Sequence, residues 1–76
     1  MDYNFYGNWI RTHRKRRKMS QEELAYEVGI SRPMLSLFER GKNFPMVDVW
    51  EQIVDVLGGE IIVKEREGFE YEADYE

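Results

Sequence analysis

Cationic side chains are concentrated in the first half of this sequence, and their chemistry suits the binding of a polyanion. Residues 1–45 contain nine Lys or Arg against five Asp or Glu, whereas residues 46–76 contain two against ten. Guanidinium and ammonium groups bind phosphate oxygens through charge-assisted hydrogen bonds. The net charge of the chain is −4, but a polyanion responds to the local field of one face, so the first half is a candidate nucleic-acid surface.

Six of the cations fall within eight residues. They are Arg11, Arg14, Lys15, Arg16, Arg17 and Lys18. Such a run is also typical of a solvated helix face, or of cations that complement the negative C-terminal end of a helix dipole. We favour phosphate contacts for part of it, at Arg11, Lys15 and Lys18, because the run directly precedes a predicted pair of helices.

Other kinds of site have little support in the sequence. The chain has no cysteine and one histidine, His13, so thiolate metal sites, disulfides and histidine clusters are excluded. Catalysis needs at least a nucleophile–base pair or a metal in a pocket, so we predict no enzyme activity, no metal and no cofactor. No apolar run approaches the ~20 residues of a membrane span, and the N-terminus lacks a signal-peptide pattern, so a cytoplasmic protein is expected.

The elements that would position the cations centre on residues 20–41. Ser20 followed by Glu23 is a capping-box pattern, which predicts a helix running to about Glu27. Gly29 follows, and glycine permits a sharp turn in the left-handed conformation. The pattern therefore predicts a short helix and a glycine turn.

A second helix is predicted directly after that turn. Ser31 is its cap, Pro33 lies in the first turn, and Gly41 ends it, while Leu35 and Phe38 face inward. Two short helices joined by a glycine turn fit the geometry that places a recognition helix in the DNA major groove.

Two longer helices flank this pair. The first is predicted from Phe5 to Arg17, with Asn4 as a possible cap and Gly7 as a weak point; a frayed terminus is the alternative. The fourth is predicted from Val47 to Leu57 and is apolar on two adjoining sides. A surface helix normally needs one such side, so the second side favours contact with another copy of the chain.

The C-terminal segment predicts a strand and an acidic tail. EIIVKER, residues 60–66, has three consecutive β-branched residues, and a lone strand must pair. Pairing of this strand with the same strand of a second copy of the chain would satisfy its backbone hydrogen-bonding groups. We divide the chain into a helical domain at 1–59, a dimerisation strand at 60–67 and an acidic tail at 68–76. The tail is interpreted as a disordered solubilising segment, with partner binding or shielding of the basic face as alternatives.

Together, SQEELA, VGIS and LSLFERGK followed by a proline at position 45 resemble the Cro/repressor-type helix-turn-helix family, also called the XRE family. The resemblance covers roughly residues 7–57. No single residue in it is diagnostic, but the ordered set at fixed spacing is specific. It implies a mainly α, lambda-repressor-like domain of four to five helices, here with one short C-terminal β-strand. That strand resembles the antitoxin members of the family, whose subunits pair through a C-terminal strand.

The resemblance also implies roles for individual residues. Arg14 would form a buried ion pair with Glu39 of the E-R-G motif, which is an architectural role. Phosphate contacts would come from the start of the first motif helix and from the loop after the second. These residues are Gln21, Lys42 and Asn43. Gln21 as plain helix surface is the alternative.

Base contacts are expected from the outward side of the second motif helix. Arg32 can donate two hydrogen bonds to guanine O6 and N7, and Ser36 can donate or accept at a base edge. Pro33 and Leu37 offer apolar contact, with a thymine methyl as the most suitable partner, and Arg40 is assigned to phosphate. One strong base reader per subunit gives modest specificity, which a dimer on two half-sites would raise.

The function predicted from these features is sequence-specific binding of double-stranded DNA by a dimeric transcriptional regulator that acts as a repressor. The residues assigned to dimerisation are Val49, Ile53, Val56, Ile61, Ile62 and Val63. A second hypothesis is an antitoxin-like regulator that also binds a partner protein such as a toxin. A third is a protein-interaction module that has lost DNA binding, which the apolar Pro33 and Leu37 would favour and the basic first half would oppose.

Overall fold

The computed structural model describes residues 2–62, which form four α-helices. They are α1 (Tyr3–Arg16), α2 (Gln21–Val28), α3 (Arg32–Glu39) and α4 (Val47–Val56). The prediction of a mainly α, helix-turn-helix fold is confirmed. Within residues 2–62, no helix is long and apolar enough to cross a membrane.

The predicted C-terminal strand is not formed in the part of it that the structure describes. Glu60, Ile61 and Ile62 follow α4 without regular secondary structure. The pairing that the sequence analysis expected was between two copies, and the structure describes one chain. Val63, the rest of the predicted strand and the acidic tail at 68–76 lie outside the described residues.

Helix α1 begins two residues earlier than the sequence predicted. Its cap is Asp2 and not Asn4: the Asp2 carboxylate accepts hydrogen bonds from the backbone N–H groups of Asn4 at 3.0 Å and Phe5 at 3.3 Å. Asp and Asn cap helices about equally well, so residue type alone does not decide between Asp2 and Asn4.

Gly7 is a packing contact in α1, where the sequence had suggested a weak point. It is buried, and a Cβ built there would lie 2.5 Å from the carbonyl oxygen of Phe38 and 2.6 Å from that of Glu39. Those oxygens belong to the end of α3. The missing side chain therefore lets α1 approach the backbone of α3 directly.

The caps of the motif helices are formed as predicted. The Ser20 hydroxyl accepts from the Glu23 N–H at 3.0 Å, and the Glu23 carboxylate accepts from the Ser20 N–H at 2.7 Å. Gly29 has φ of +83°, and the Ser31 hydroxyl accepts from the Met34 N–H at 3.2 Å. These local bonds fix where each helix starts and how the chain turns between them.

One apolar core joins the four helices. Its buried members are Ile10, Leu24, Ala25, Val28, Leu35, Phe38, Ile53 and Leu57. Ile53 was assigned to a dimerisation surface, and that assignment is wrong: its exposed fraction is 0%. Ile53 belongs to both of the apolar sides predicted on α4, and the side that it shares with Val54 and Leu57 is the one buried in the core.

Aromatic rings close the end of the domain formed by α1 and α4. Trp50 lies 5.5 Å from Tyr6, 5.5 Å from Phe44 and 5.7 Å from Trp9, measured between ring centroids. The His13 ring packs against the Trp9 ring, with 4.4 Å between the ring centroids. This cluster fixes α4 against the N-terminal half of α1.

Candidate nucleic-acid interface

A buried ion pair fastens α3 to α1. Arg14 Nε donates to Glu39 Oε2 at 2.7 Å and Nη2 donates to Glu39 Oε1 at 2.9 Å, while Nη1 donates to the carbonyl oxygen of Met19 at 2.9 Å. This is the pair that the family resemblance implies. The hydrogen bonds that Arg14 donates to Glu39, opposed in part by burial, raise the pKa of Arg14 above its ordinary value, so the guanidinium stays protonated. The two-point geometry sets the orientation of α3 as well as its distance.

Gln21 connects α2 to the same pair. Its Nε2 donates to Glu39 Oε1 at 3.0 Å. Gln21 is half-buried and lines one open depression together with Ser20 and Arg32. The structure thus brings Gln21, predicted for phosphate, next to Arg32, predicted for a base, and Glu39 holds the Gln21 amide in place.

The outer face of α3 carries two parallel stripes of side chains. Residues four apart lie on one side of a helix, so Arg32, Ser36 and Arg40 form a polar stripe, and Pro33 and Leu37 form an apolar stripe beside it. All five line a single shallow depression. The structure therefore brings together the four residues predicted to contact bases and the adjacent Arg40.

Hydrogen bonding distinguishes the two arginines of this outer face. Arg40 Nε donates to the Ser36 hydroxyl at 3.3 Å, which directs the Arg40 side chain along the helix. Arg32 is exposed at the first position of α3, and within residues 2–62 its guanidinium makes no ion pair. Arg32 is thus free to engage an external acceptor.

The remaining residues predicted for phosphate are exposed, with different local partners. Arg11 Nη2 donates to Asn8 Oδ1 at 3.5 Å, and Lys15, Lys18 and Lys42 are exposed. Asn43 uses its side-chain oxygen to accept from the backbone N–H of Phe44 at 2.9 Å, so only its amide NH2 is left to donate.

Arg17 has a structural role that its position in the basic run conceals. Its Nε donates to the carbonyl oxygen of Leu57 at 3.0 Å, which satisfies an orphan carbonyl at the end of α4. Arg17 Nη2 also occupies the space where a Cβ at Gly58 would lie. The six cations of residues 11–18 look alike in sequence, and only the contact with the distant Leu57 distinguishes Arg17.

The residues predicted for dimerisation are distributed unevenly between core and surface. Val49 and Val56 are partly exposed and pack against the core, while Ile61 and Ile62 have exposed fractions of 48% and 67%. Met46 and Val47, at the start of α4, are also exposed, at 77% and 71%. Around α4, the exposed apolar side chains thus lie at the start of the helix and in the segment that follows it.

Comparison with known proteins agrees with this geometry. The sequence profile described as "Helix-turn-helix" matches residues 10–62. The chain is 41% identical over 51 residues to an uncharacterized HTH-type transcriptional regulator of Mycobacterium tuberculosis, covering 67% of this chain and 36% of that protein. It is 40% identical over 53 residues to an uncharacterized HTH-type transcriptional regulator of Methanothermobacter thermautotrophicus, covering 70% and 77%. The chain thus spans about a third of the length of the mycobacterial relative.

Solved structures show the same fold. The restriction-modification controller protein C.AhdI from Aeromonas hydrophila superposes with a TM-score of 0.73 at 27% identity, covering 78% of this chain and 89% of that one. The clp gene regulator ClgR from Corynebacterium glutamicum superposes with a TM-score of 0.74 at 24% identity, covering 78% and 63%. The expectation of a regulator and not an enzyme is confirmed for the matched residues 10–62, whose relatives are described as transcriptional regulators. The chain belongs to the helix-turn-helix family of the Cro/repressor type and has its DNA-binding fold.

Proposed function

We propose that this protein binds double-stranded DNA in a sequence-specific manner as a dimeric transcriptional repressor, with α3 in the major groove. The observation that carries the proposal is the outer face of α3. Two arginines, a serine and two apolar residues lie exposed or half-exposed there, while the inner side of the same helix is fixed by the core and the Arg14–Glu39 pair. A rigid helix with a free donor at its first position suits base readout.

Phosphate contacts on either side of α3 would set its register in the groove. Gln21 and Arg40 adjoin Arg32 and Ser36 respectively, and Lys42 follows on the loop after α3. Arg11, Lys15 and Lys18 would extend the basic surface along α1. Neutralising several phosphates releases counterions, so binding should weaken steeply as the salt concentration rises.

The direct test is a titration of the full chain against DNA from upstream of its own gene, at two salt concentrations, beside a random duplex of equal length. The expected result is tight, salt-sensitive binding that prefers the upstream DNA. Equal weak binding to both duplexes would contradict sequence-specific recognition. Absence of binding at low salt would contradict the DNA function altogether and favour the protein-interaction hypothesis.

The proposed dimer would use the apolar surface at the start of α4 and in the segment after the helix. Val47, Ile61 and Ile62 are exposed, and Ile61 and Ile62 belong to the β-branched run that needs a pairing partner. Two copies joined there would present two α3 helices to half-sites on one duplex. A partner protein such as a toxin is the competing occupant of this surface, as in the antitoxin-like hypothesis.

Sedimentation equilibrium of the full chain tests the dimer. Val47→Asp places a charge on the proposed interface at a position where aspartate favours a helix start, so the fold should survive while the dimer weakens. Gln52→Asp is the matched control, since Gln52 is exposed on α4 outside the proposed surface. A wild-type monomer at micromolar concentration, or a dimer insensitive to Val47→Asp, would contradict the proposed interface.

A further inference from the structure

The outer face of α3 holds an unusual pairing of one free guanidinium with an apolar stripe. Pro33 has no backbone N–H, and neither Pro33 nor Leu37 has a polar side-chain atom, so neither can hydrogen-bond to a base edge. Ser36, the polar residue between the arginines, already accepts a hydrogen bond from Arg40. Arg32 is therefore the strongest base-edge donor of this face, and the rest of its centre is apolar.

The major groove offers one apolar group to such a stripe. Among the four natural base pairs, the C5 methyl of thymine is the apolar feature, and guanine offers O6 and N7 to a bidentate arginine. A methylated cytosine carries its methyl on the same C5 atom. A helix that places an arginine beside an apolar stripe is thus complementary to a guanine next to a C5-methylated pyrimidine.

We propose that this protein recognises a C5-methylated pyrimidine adjacent to guanine, through the Pro33–Leu37 stripe and Arg32, and that 5-methylcytosine can replace thymine at that position. The inference rests on the proposed DNA-binding function and deepens it. The two side chains are one helical turn apart and line the same depression as Arg32. Ser31 caps the turn that holds Arg32 and Pro33, so the backbone positions from which the stripe and the Arg32 side chain project are fixed relative to each other.

The expected change in the DNA-binding constant can be calculated from the burial of one methyl group. Transfer of one CH2-sized group out of water is worth a factor of about three to four in a binding constant. Replacing thymine by uracil removes only that methyl and keeps every hydrogen-bonding group. Replacing cytosine by 5-methylcytosine adds only that methyl.

The test starts with selection of bound duplexes from a random pool by the full chain. At each pyrimidine next to a guanine in the selected site, four duplexes are compared, with thymine, uracil, cytosine or 5-methylcytosine at that position. We expect uracil to bind about threefold more weakly than thymine, and 5-methylcytosine to bind about threefold more tightly than cytosine. The thymine and 5-methylcytosine arms distinguish the two natural sources of the methyl group.

Three variants test whether the methyl effect depends on the apolar stripe. Leu37→Ala should remove most of the thymine–uracil difference, whereas Met34→Ala, which changes a side chain of α3 outside the depression, should retain it. Arg32→Ala should weaken binding without abolishing the methyl effect. These ratios compare two duplexes with one protein, so a partial loss of folding in a variant leaves them unchanged.

The possible outcomes distinguish a failure of methyl recognition from a failure of the proposed DNA-binding function. A selected consensus whose affinity is indifferent to every methyl change would overturn methyl recognition and leave sequence-specific binding standing. A methyl effect that survives Leu37→Ala would overturn the assignment to the stripe. Selection that enriches no duplex would overturn both the proposed function and this inference.

Discussion

The outward sides of α3 and α4 carry opposite charge, although both helices are short and bury one apolar side in the same core. The exposed side chains of α3 include Arg32 and Arg40, whereas those of α4 include Asp48, Glu51 and Asp55. The chain total of −4 therefore describes neither of these two surfaces. The lesson is that charge predicts binding to nucleic acid only when it is assigned to the face of a particular helix.

The two helices are also held by different kinds of interaction. Hydrogen bonds and an ion pair of fixed geometry connect α3 to α1 and α2. Aromatic packing and the Arg17–Leu57 hydrogen bond hold α4. Directional bonds define an orientation more closely than apolar contact does, which suits a helix whose outer side chains must meet base edges.

The largest loss of stability is expected from Glu39→Ala, which leaves the buried Arg14 charge without its partner. The free energy of unfolding should fall by about 3–5 kcal/mol, measured by urea denaturation with the fluorescence of Trp9 and Trp50. The double variant Arg14→Met, Glu39→Leu should recover much of this loss, because no unpaired charge remains. A single variant as stable as the wild type would show that α3 does not depend on this pair.

Gly7→Ala should be the next most harmful change, because its Cβ would meet backbone oxygens of α3 that cannot move aside. We expect a loss of about 1–3 kcal/mol or more in the free energy of unfolding. Gly29→Ala is the contrasting variant: no atom lies within 4 Å of its Cβ, and the left-handed backbone should cost about 1–2 kcal/mol. A Gly7→Ala variant as stable as the wild type would contradict a steric role for Gly7.

Arg32→Ala tests the functional side of α3. Binding to the preferred site should weaken by about 1–3 kcal/mol, and sequence preference should relax at one position of each half-site. Gln52→Ala on α4 is the control and should change neither quantity. An unchanged binding profile across site variants would remove Arg32 from base recognition.

Lys42→Ala should weaken binding to all DNA sequences by the same factor. Losing one phosphate contact should lower the slope of log K against log salt by about 1, without a change in the preferred sequence. Titrations at four salt concentrations measure the slope. A selective loss at one base position would instead assign Lys42 to base contact.

The smallest effect is expected from neutralising α4 with Glu51→Gln and Asp55→Asn. At 0.15 M salt, where screening acts over about 8 Å, DNA affinity should stay within about twofold, and any gain should appear only at lower salt. A large gain at 0.15 M would mean that the acidic side of α4 lies close to the bound DNA.

Local patterns in the sequence were sufficient for much of the fold. The capping box at Ser20 and the turn at Gly29 involve neighbours within a few residues, so their geometry follows from residue type and spacing. The start of α1 was misplaced because Asp2 and Asn4 both suit a cap, and nothing local distinguishes them. The four base-contact candidates share one depression on α3 because helical periodicity alone places them there.

The sequence by itself determined the helix pair, the chemistry of the side chains on α3 and the separation of basic and acidic halves. Only the tertiary structure decided that Gly7 is a contact, that Arg17 serves α4, and that Ile53 belongs to the core. Each of these depends on a residue far away in the chain, at Phe38, at Leu57 or in the packing between helices. Helix caps and turns depend on residues that are neighbours in the sequence. Steric contact and burial, in contrast, exist only in the folded tertiary structure.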